Sequence, residues 1–187
     1  MRQSLAAKSL TSSFCYTEHM EIREVKESDI PALSQLAKRV FIDTFKDSLT
    51  KEDLEAELEL NRSESYFREV INKDVILVAE EKGGLAGYVQ FGEVEIPEIN
   101  PEEGDQELRR IYVATEFQGK GIGRQLMDAA FSHPHLGNAR NIYIDVWDKN
   151  EKAVNFYKKY GFKEFGKTDV YIGSKYIGQD LIMVRNK

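Results

Sequence analysis

A glycine-rich segment between an apolar strand and an amphipathic helix constrains the fold of this chain more than any other feature. The segment Gln118–Arg124 follows the strand pattern of Leu108–Val113. Apolar residues then recur at helical spacing over Gly121–Ser132, and Asn141–Trp147 forms a second strand pattern. Two strands connected through a helix belong to one sheet, so the pattern predicts a domain in which helices cross over between strands.

The rest of the chain supplies further strands and helices for the same sheet. Ser28-Asp29-Ile30-Pro31 predicts a helix start, because a capping residue is followed by proline in the first turn. Thr50 and Asp53 predict a second capped helix, whose inward face includes Tyr66 and Phe67. The other predicted elements are strands at Met20–Lys26, Asp74–Glu80, Leu85–Phe91, Phe162–Tyr171 and Gly178–Val184, and a helix at Asn150–Tyr160 closed by Gly161.

Composition excludes several classes of protein. The single cysteine, Cys15, rules out an internal disulfide and a multi-thiolate metal site. No uncharged apolar run approaches the roughly 20 residues that a membrane span needs, so we expect no membrane association. With 32 acidic and 26 basic residues the net charge is −6, which disfavours nucleic acid as a partner. Residues 20–187 form one predicted α/β (α+β) domain, and residues 1–19 form a tail that could be a tag or an organellar targeting segment.

The charge is distributed unevenly along the chain. Residues 43–107 contain 19 acids and 6 bases, whereas residues 108–167 contain 6 acids and 11 bases. The acidic half can be a solvated surface that keeps the protein in solution. It can equally be a surface that collects a cation, beside a basic half that holds an anion.

The glycine-rich segment suits a pyrophosphate, because glycines allow close approach and the amides at a helix start point at the ligand. A Walker A loop requires Ser or Thr where Gly121 stands, and a dinucleotide fingerprint read from Gly119 requires a small residue where Arg124 stands. Neither motif fits. Without other signals the segment could be a plain helix cap. His133-Pro134-His135 has no third ligand at suggestive spacing, so it is expected to be a surface loop and no metal is expected.

Three blocks of the sequence form one ordered pattern: the strand Glu107–Val113, the segment Gln118-x-x-Gly121-x-Gly123, and the downstream Asn150-x-x-Ala153-x-x-Phe156-Tyr157-x-x-x-Gly161-Phe162. Together they resemble the GCN5-related N-acetyltransferases. The resemblance implies a single mixed, mostly antiparallel sheet flanked by helices, with a splay between the fourth and fifth strands. Phe41-x-x-Thr44-Phe45 and the ending Gln179–Met183 look most like bacterial polyamine acetyltransferases of the PaiA type.

The resemblance also implies how acetyl-CoA is bound. Backbone groups of Ile111 and Val113, flanking Tyr112, would pair with the pantetheine arm, and the amide of Val113 or of a neighbour would polarise the thioester carbonyl. Asn150 would hydrogen-bond to the same arm. Amides of the glycine-rich segment would hold the pyrophosphate, with side-chain charge from two of its members. The residues concerned are Gln118, Gly119, Lys120, Gly121, Ile122, Gly123 and Arg124.

Two residues are the catalytic candidates. Tyr157 is the expected general acid, because a phenol with a pKa near 10 is protonated at neutral pH and can donate to a departing thiolate. The alternative is a core aromatic in the cluster with Phe156 and Tyr160. Glu107 is the expected base, because it matches a glutamate that some family members use and a protonated amine cannot attack. The alternative is a solvated acid, with ordered water removing the proton.

The resulting prediction is an N-acetyltransferase that moves acetyl from acetyl-CoA to a primary amine by direct attack in a ternary complex. The acidic half favours a small cationic acceptor such as spermidine or spermine. Two alternatives remain: an aminoglycoside, a protein N-terminus or a lysine as acceptor, or a coenzyme A-binding regulatory module without catalysis. The family resemblance allows a homodimer through the final strands. A cytoplasmic location is the default expectation, with organellar import through residues 1–19 as the alternative.

Overall fold

The fold is built on one β-sheet, in which the pairing between two central strands breaks off after two residue pairs. The computed structural model describes residues 20–172 and 175–187. Within them the strands form one sheet in the order β1-β2-β3-β4-β5-β7-β6, and only the β4–β5 pair is parallel. The predicted mixed, mostly antiparallel sheet is therefore confirmed. The strands are β1 (Met20–Glu24), β2 (Val75–Glu81), β3 (Gly84–Gly92), β4 (Gln106–Val113), β5 (Asn141–Trp147), β6 (Lys163–Ile172) and β7 (Lys175–Asn186).

Helices cover both faces of this sheet. On one face, helices α1 and α3 pack against Ile76, Val78 and Tyr88. On the other face, helices α4 and α6 pack against Leu77 and Ala79. Because side chains alternate along a strand, β2 is buried on both faces and reads as an unbroken apolar run. The helices are α1 (Ile30–Phe45), α2 (Lys51–Arg62), α3 (Glu64–Val70), α4 (Ile122–Ser132), α5 (Pro134–Gly137) and α6 (Glu151–Lys159).

Local capping signals explain where most helices begin. The Thr50 hydroxyl accepts a hydrogen bond from the Asp53 amide at the start of α2, and the Asn150 side chain accepts one from the Ala153 amide at the start of α6. The prediction of one helix running through Tyr66 and Phe67 was wrong. Ser63 is extended and caps a separate helix, α3, so the chain turns there and buries Phe67 completely.

Two further predictions concern the segment after α4 and the N-terminal residues. The segment His133-Pro134-His135 is not a loop, since Pro134 starts the short helix α5 and the His133 ring accepts a hydrogen bond from the His135 amide. Proline is favoured in a first helical turn, which explains the difference. The predicted tail, residues 1–19, lies outside the described residues.

Candidate active site

The parallel strands β4 and β5 separate soon after they meet. They pair only at Gln106–Ile142 and Glu107–Tyr143, after which each strand continues alone on its facing edge. The Ala114 amide donates to the Ala86 carbonyl of the β3 side at 2.9 Å. Because hydrogen bonding alternates along an antiparallel pair, the backbone groups of Ile111 and Val113 point toward the opening. This opening, the splay, therefore presents an unpaired strand edge that an extended ligand can join.

The glycine-rich segment lies at the start of α4. Gly119 and Gly121 have φ of +77° and +83°, and a Cβ built at either position would meet nothing within 4 Å. The backbone is therefore left-handed and open on one side, which only glycine adopts without strain. The Gln118 backbone amide donates to the Thr115 carbonyl, and the Arg124 backbone amide donates to the Gly121 carbonyl. Those two of the predicted phosphate-binding amides are already used inside the turn.

Side chains around this segment hold it in position. The Gln118 side-chain amide donates to the Val113 carbonyl at 3.2 Å, and its oxygen accepts a hydrogen bond from the Lys152 ammonium at 2.8 Å. The Lys120 ammonium lies 4.9 Å from the centre of the Phe117 ring. Ile122, the first residue of α4, is buried in the apolar core and anchors the start of the helix, while Gly119 and Gly121 stay exposed.

A cavity of about 450 Å³ reaches from the α1–α2 side of the sheet into the splay. It is bounded by the end of α1, by α2, by β4 and β5, by the start of α6 and by the β6–β7 strands. Among residues 20–172 and 175–187, its wall contains more carboxylates than cations and no lysine or histidine. The charged lining residues are Glu57, Glu95, Glu107, Asp145, Asp180, Arg62, Arg109 and Arg110.

Glu107 is the buried carboxylate nearest the β4–β5 pairing, with 5% of its surface exposed. It accepts a hydrogen bond from the Glu95 amide at 2.7 Å and one from Arg109 at 3.2 Å. Burial raises the pKa of Glu107 to about 7, and these two donors only partly oppose the effect. The carboxyl group therefore exchanges its proton near neutral pH, which is the behaviour of a general base.

Arg109 occupies a bulge, where it has no partner on β3. Its guanidinium binds Asp74 at 2.7 Å and Glu95 at 2.9 Å, besides its contact with Glu107. The extra residue shifts the alternation of β4, so that Leu108 and Ile111 both pack on the α4 side. The bulge thereby places Glu107, Arg109 and the following Arg110 along the same cavity.

Tyr157 lines the cavity from the opposite side of the splay. Its ring packs against Phe156 and Phe162, and 5% of its surface is exposed. The hydroxyl makes no hydrogen bond to any residue that the structure describes. Burial raises the pKa of the phenol further above its ordinary value, so the hydroxyl keeps its proton at neutral pH. Asn150, which caps the same helix, also reaches the cavity.

Sequence reasoning missed two carboxylates in this wall, Asp145 and Asp180. Burial raises the pKa of both, and that of Asp180 to about 7. A signal was available, because Asp145 interrupts the apolar run of β5 and Asp180 directly precedes the apolar run Leu181–Val184 of β7. Trp147, beside Asp180 in the register, contacts the Phe45 ring at 5.5 Å and closes the apolar part of the wall.

The acidic half of the sequence divides between the two interpretations given above. Glu57, Glu95 and Glu107 belong to the cavity, whereas Glu98 and Glu103 are exposed to solvent. Across residues 20–172 and 175–187 no cluster of three or more His, Cys, Asp or Glu side chains is arranged to hold a metal ion. In the same ranges no helix has the length and apolar character to cross a membrane.

Comparison with a protein-family model identifies the central part of the chain. The model described as an acetyltransferase (GNAT) domain matches residues 72–164. This range contains the splay, the glycine-rich segment and Tyr157. An uncharacterized N-acetyltransferase in the pepI 3′ region of Lactobacillus delbrueckii subsp. lactis is 28% identical over 159 residues, which cover 82% of this chain and 90% of that protein.

Two further similarities concern polyamine enzymes and the fold. The spermine/spermidine N(1)-acetyltransferase of Bacillus subtilis is 27% identical over 101 residues, covering 54% of this chain and 66% of that protein. The crystal structure of the PaiA N-acetyltransferase from Thermoplasma acidophilum, in complex with coenzyme A, superposes with a TM-score of 0.72 at 22% identity. That match covers 90% of this chain and 99% of the other.

Proposed function

Because this chain belongs to the GNAT family of acetyl-CoA-dependent N-acetyltransferases, we propose that its acceptor is a primary amine of a small polycation such as spermidine or spermine. The observation that carries the proposal is the charge of the cavity wall. Five carboxyl groups and three guanidiniums line it, so the wall carries two net negative charges when every carboxyl group is ionised, and among the described residues it has no lysine or histidine. This balance favours a compact polycation over an anionic ligand.

Two backbone features of the described residues support this mode of cofactor binding. The edge of β4 at Ile111 and at the Val113 amide has no strand partner and can pair with an extended arm, while the Val113 carbonyl accepts from the Gln118 side chain. Gly119 and Gly121 leave open space beside the first amides of α4, where a pyrophosphate is favoured. When bound there, acetyl-CoA supplies an acetyl thioester, whose C–S bond is exchanged for the C–N bond of the amide product. Lys120, Arg124 and Asn150 are the proposed side-chain contacts.

Glu107 and Tyr157 have the proposed proton-transfer roles, on opposite sides of the splay. Glu107 removes a proton from the acceptor ammonium, directly or through water, and its pKa of about 7 is matched to that task. Tyr157 keeps its proton at neutral pH and donates it toward the sulfur that departs. Among the described residues, Ser48 is the only serine or cysteine that lines the cavity, and its hydroxyl makes no hydrogen bond to a described base, which supports direct transfer without an acyl-enzyme.

The testing experiment measures acetyl-CoA-dependent thiol release with a panel of amines. The panel contains spermidine, spermine, an aminoglycoside, a lysine-containing peptide and a peptide with a free N-terminus. Turnover that favours the two polyamines supports the proposal. Turnover of another amine alone would discard the polyamine acceptor, and binding of acetyl-CoA without turnover of any amine would indicate a regulatory module.

A further inference from the structure

Three carboxylates form a diagonal row across the adjacent strands β4, β5 and β7. Glu107 pairs with Tyr143, and Asp180 pairs with Trp147 on the opposite edge of the strand. Asp145 lies between these two positions. Directly paired residues and residues two apart share a face of a sheet, so Glu107, Asp145 and Asp180 face the same side, and all three line the cavity. We call them the carboxylate row. At about 3.3 Å per residue, its successive levels are about 6.6 Å apart along the strand.

Two members of the carboxylate row, Asp145 and Asp180, form no ion pair with a described residue, although the charges of Arg109 and Arg110 act on Asp145 from a longer distance. The arginines of the cavity wall are engaged elsewhere. Arg109 binds Asp74, Glu95 and Glu107. Arg62 pairs with Glu57, and Arg110 donates to the Asn61 carbonyl at 3.1 Å. Both side chains are half-buried and face the cavity, so a cationic ligand that enters the cavity can supply the missing ion pair.

A second, independent feature of the wall also indicates a ligand. Tyr157 is almost fully buried and borders the same cavity, yet its hydroxyl has no hydrogen-bond partner in the described part of the chain. The Tyr157 side chain borders the cavity, so a ligand that enters the cavity can supply the missing hydrogen bond. The Phe45 and Trp147 rings, 5.5 Å apart, form an apolar surface beside the row. Carboxylates at intervals along an apolar wall match ammonium groups separated by methylene chains.

We propose that the carboxylate row selects the acceptor by the distance between its ammonium groups. Glu107 receives the reacting amine, and Asp145 with Asp180 binds the next ammonium, a few methylene groups away. The inference rests on the proposed function and extends it, because it assigns selectivity to two named residues. It follows that a diamine is preferred over a monoamine that carries the same reacting group.

The test compares butylamine, diaminobutane and spermidine as acceptors for the wild type, Asp145→Asn and Asp180→Asn. In the wild type, kcat/KM rises with the number of ammonium groups. Each substitution lowers the ratio of kcat/KM for diaminobutane to that for butylamine by about 10- to 100-fold, the usual worth of a hydrogen-bonded charge pair. The effect resides mainly in the KM of the diamine, and equilibrium dialysis of spermidine in the presence of coenzyme A gives an independent measure of binding.

Asp148→Asn is the matched control, because this neighbouring aspartate is exposed and does not line the cavity. Its ratio stays at the wild-type value, and thermal melting shows that all variants are folded. Wild-type ratios and unchanged spermidine binding in both Asp145→Asn and Asp180→Asn would overturn the inference while leaving the proposed function intact. A wild type that acetylates none of these amines would overturn the proposed function itself.

Discussion

The substitution Glu107→Gln tests the base and the burial argument together. Glutamine has nearly the shape of the protonated glutamic acid, and its carbonyl oxygen can still accept the hydrogen bond from the Glu95 amide. The variant therefore imitates the protonated form of the site at every pH. Any difference between the two proteins reports the cost and the use of the ionised carboxylate.

The expected stability difference follows from the raised pKa of Glu107. The shift from 4.5 to about 7 corresponds to about 3 kcal/mol of free energy of unfolding, at 1.36 kcal/mol for each pKa unit. Because the folded-state pKa is raised, the wild type carries no penalty below pH 4.5. It loses stability as the pH rises and bears the full cost above pH 7. Glu107→Gln is therefore expected to be more stable at pH 8 by about 3 kcal/mol, and by only about 1 kcal/mol at pH 5.

The assay combines thermal melting with a pH–rate profile. For a domain of this size, about 3 kcal/mol corresponds to a rise of roughly 10 °C in Tm at pH 8. In the wild type, kcat/KM increases through pH 7 as Glu107 loses its proton. In Glu107→Gln we expect that limb to vanish and the rate to fall by about 10²- to 10⁴-fold.

Glu98→Gln is the matched control, because this exposed acid lies in the loop that precedes β4 and does not line the cavity. It is expected to alter neither the melting temperature nor the profile. The reasoning would be refuted if Glu107→Gln kept the limb near pH 7 with a rate close to that of the wild type. Lower stability of the variant at pH 8 would refute the burial argument separately.

Three other substitutions test the remaining parts of the site. Tyr157→Phe removes a hydroxyl without a described partner, so we expect an unchanged Tm and a kcat at least about 100-fold lower, measured by thiol release. Gly121→Ala forces a side chain onto a backbone with φ +83°, which should lower the free energy of unfolding in urea by about 1–2 kcal/mol and raise the KM for acetyl-CoA. Gly123→Ala, inside α4, is the control and should not lower the free energy of unfolding. Asp180→Asn should raise Tm at pH 8 and not at pH 4, because burial raises the pKa of Asp180 to about 7.

The order of strands and helices could be predicted because its signals are local. The caps at Thr50 and Asn150 and the glycines at 119 and 121 act through bonds and torsions within a few residues. These signals are legible in a single sequence, and they located the glycine-rich segment and the strand edge beside it. The break at Ser63 was missed, although serine is a common cap, because the helical spacing continues through it to Phe67.

The composition of the cavity wall could not be read in the same way. A bulge at Arg109 shifts the alternation of β4, and simple alternation along the strand would place Glu107 and Ile111 on one face. Asp145 and Asp180 are 35 positions apart and meet only because β5 pairs with β7.

The sequence by itself indicated the fold, the resemblance to the acetyltransferase family and the glycine-rich segment proposed to bind the cofactor, since each signal depends on residues close together in the chain. The tertiary structure alone decided which carboxylates are buried together. Desolvation and charge pairing depend on everything that packs around a group, so the pKa of about 7 at Glu107 and at Asp180 is a property of the folded cavity.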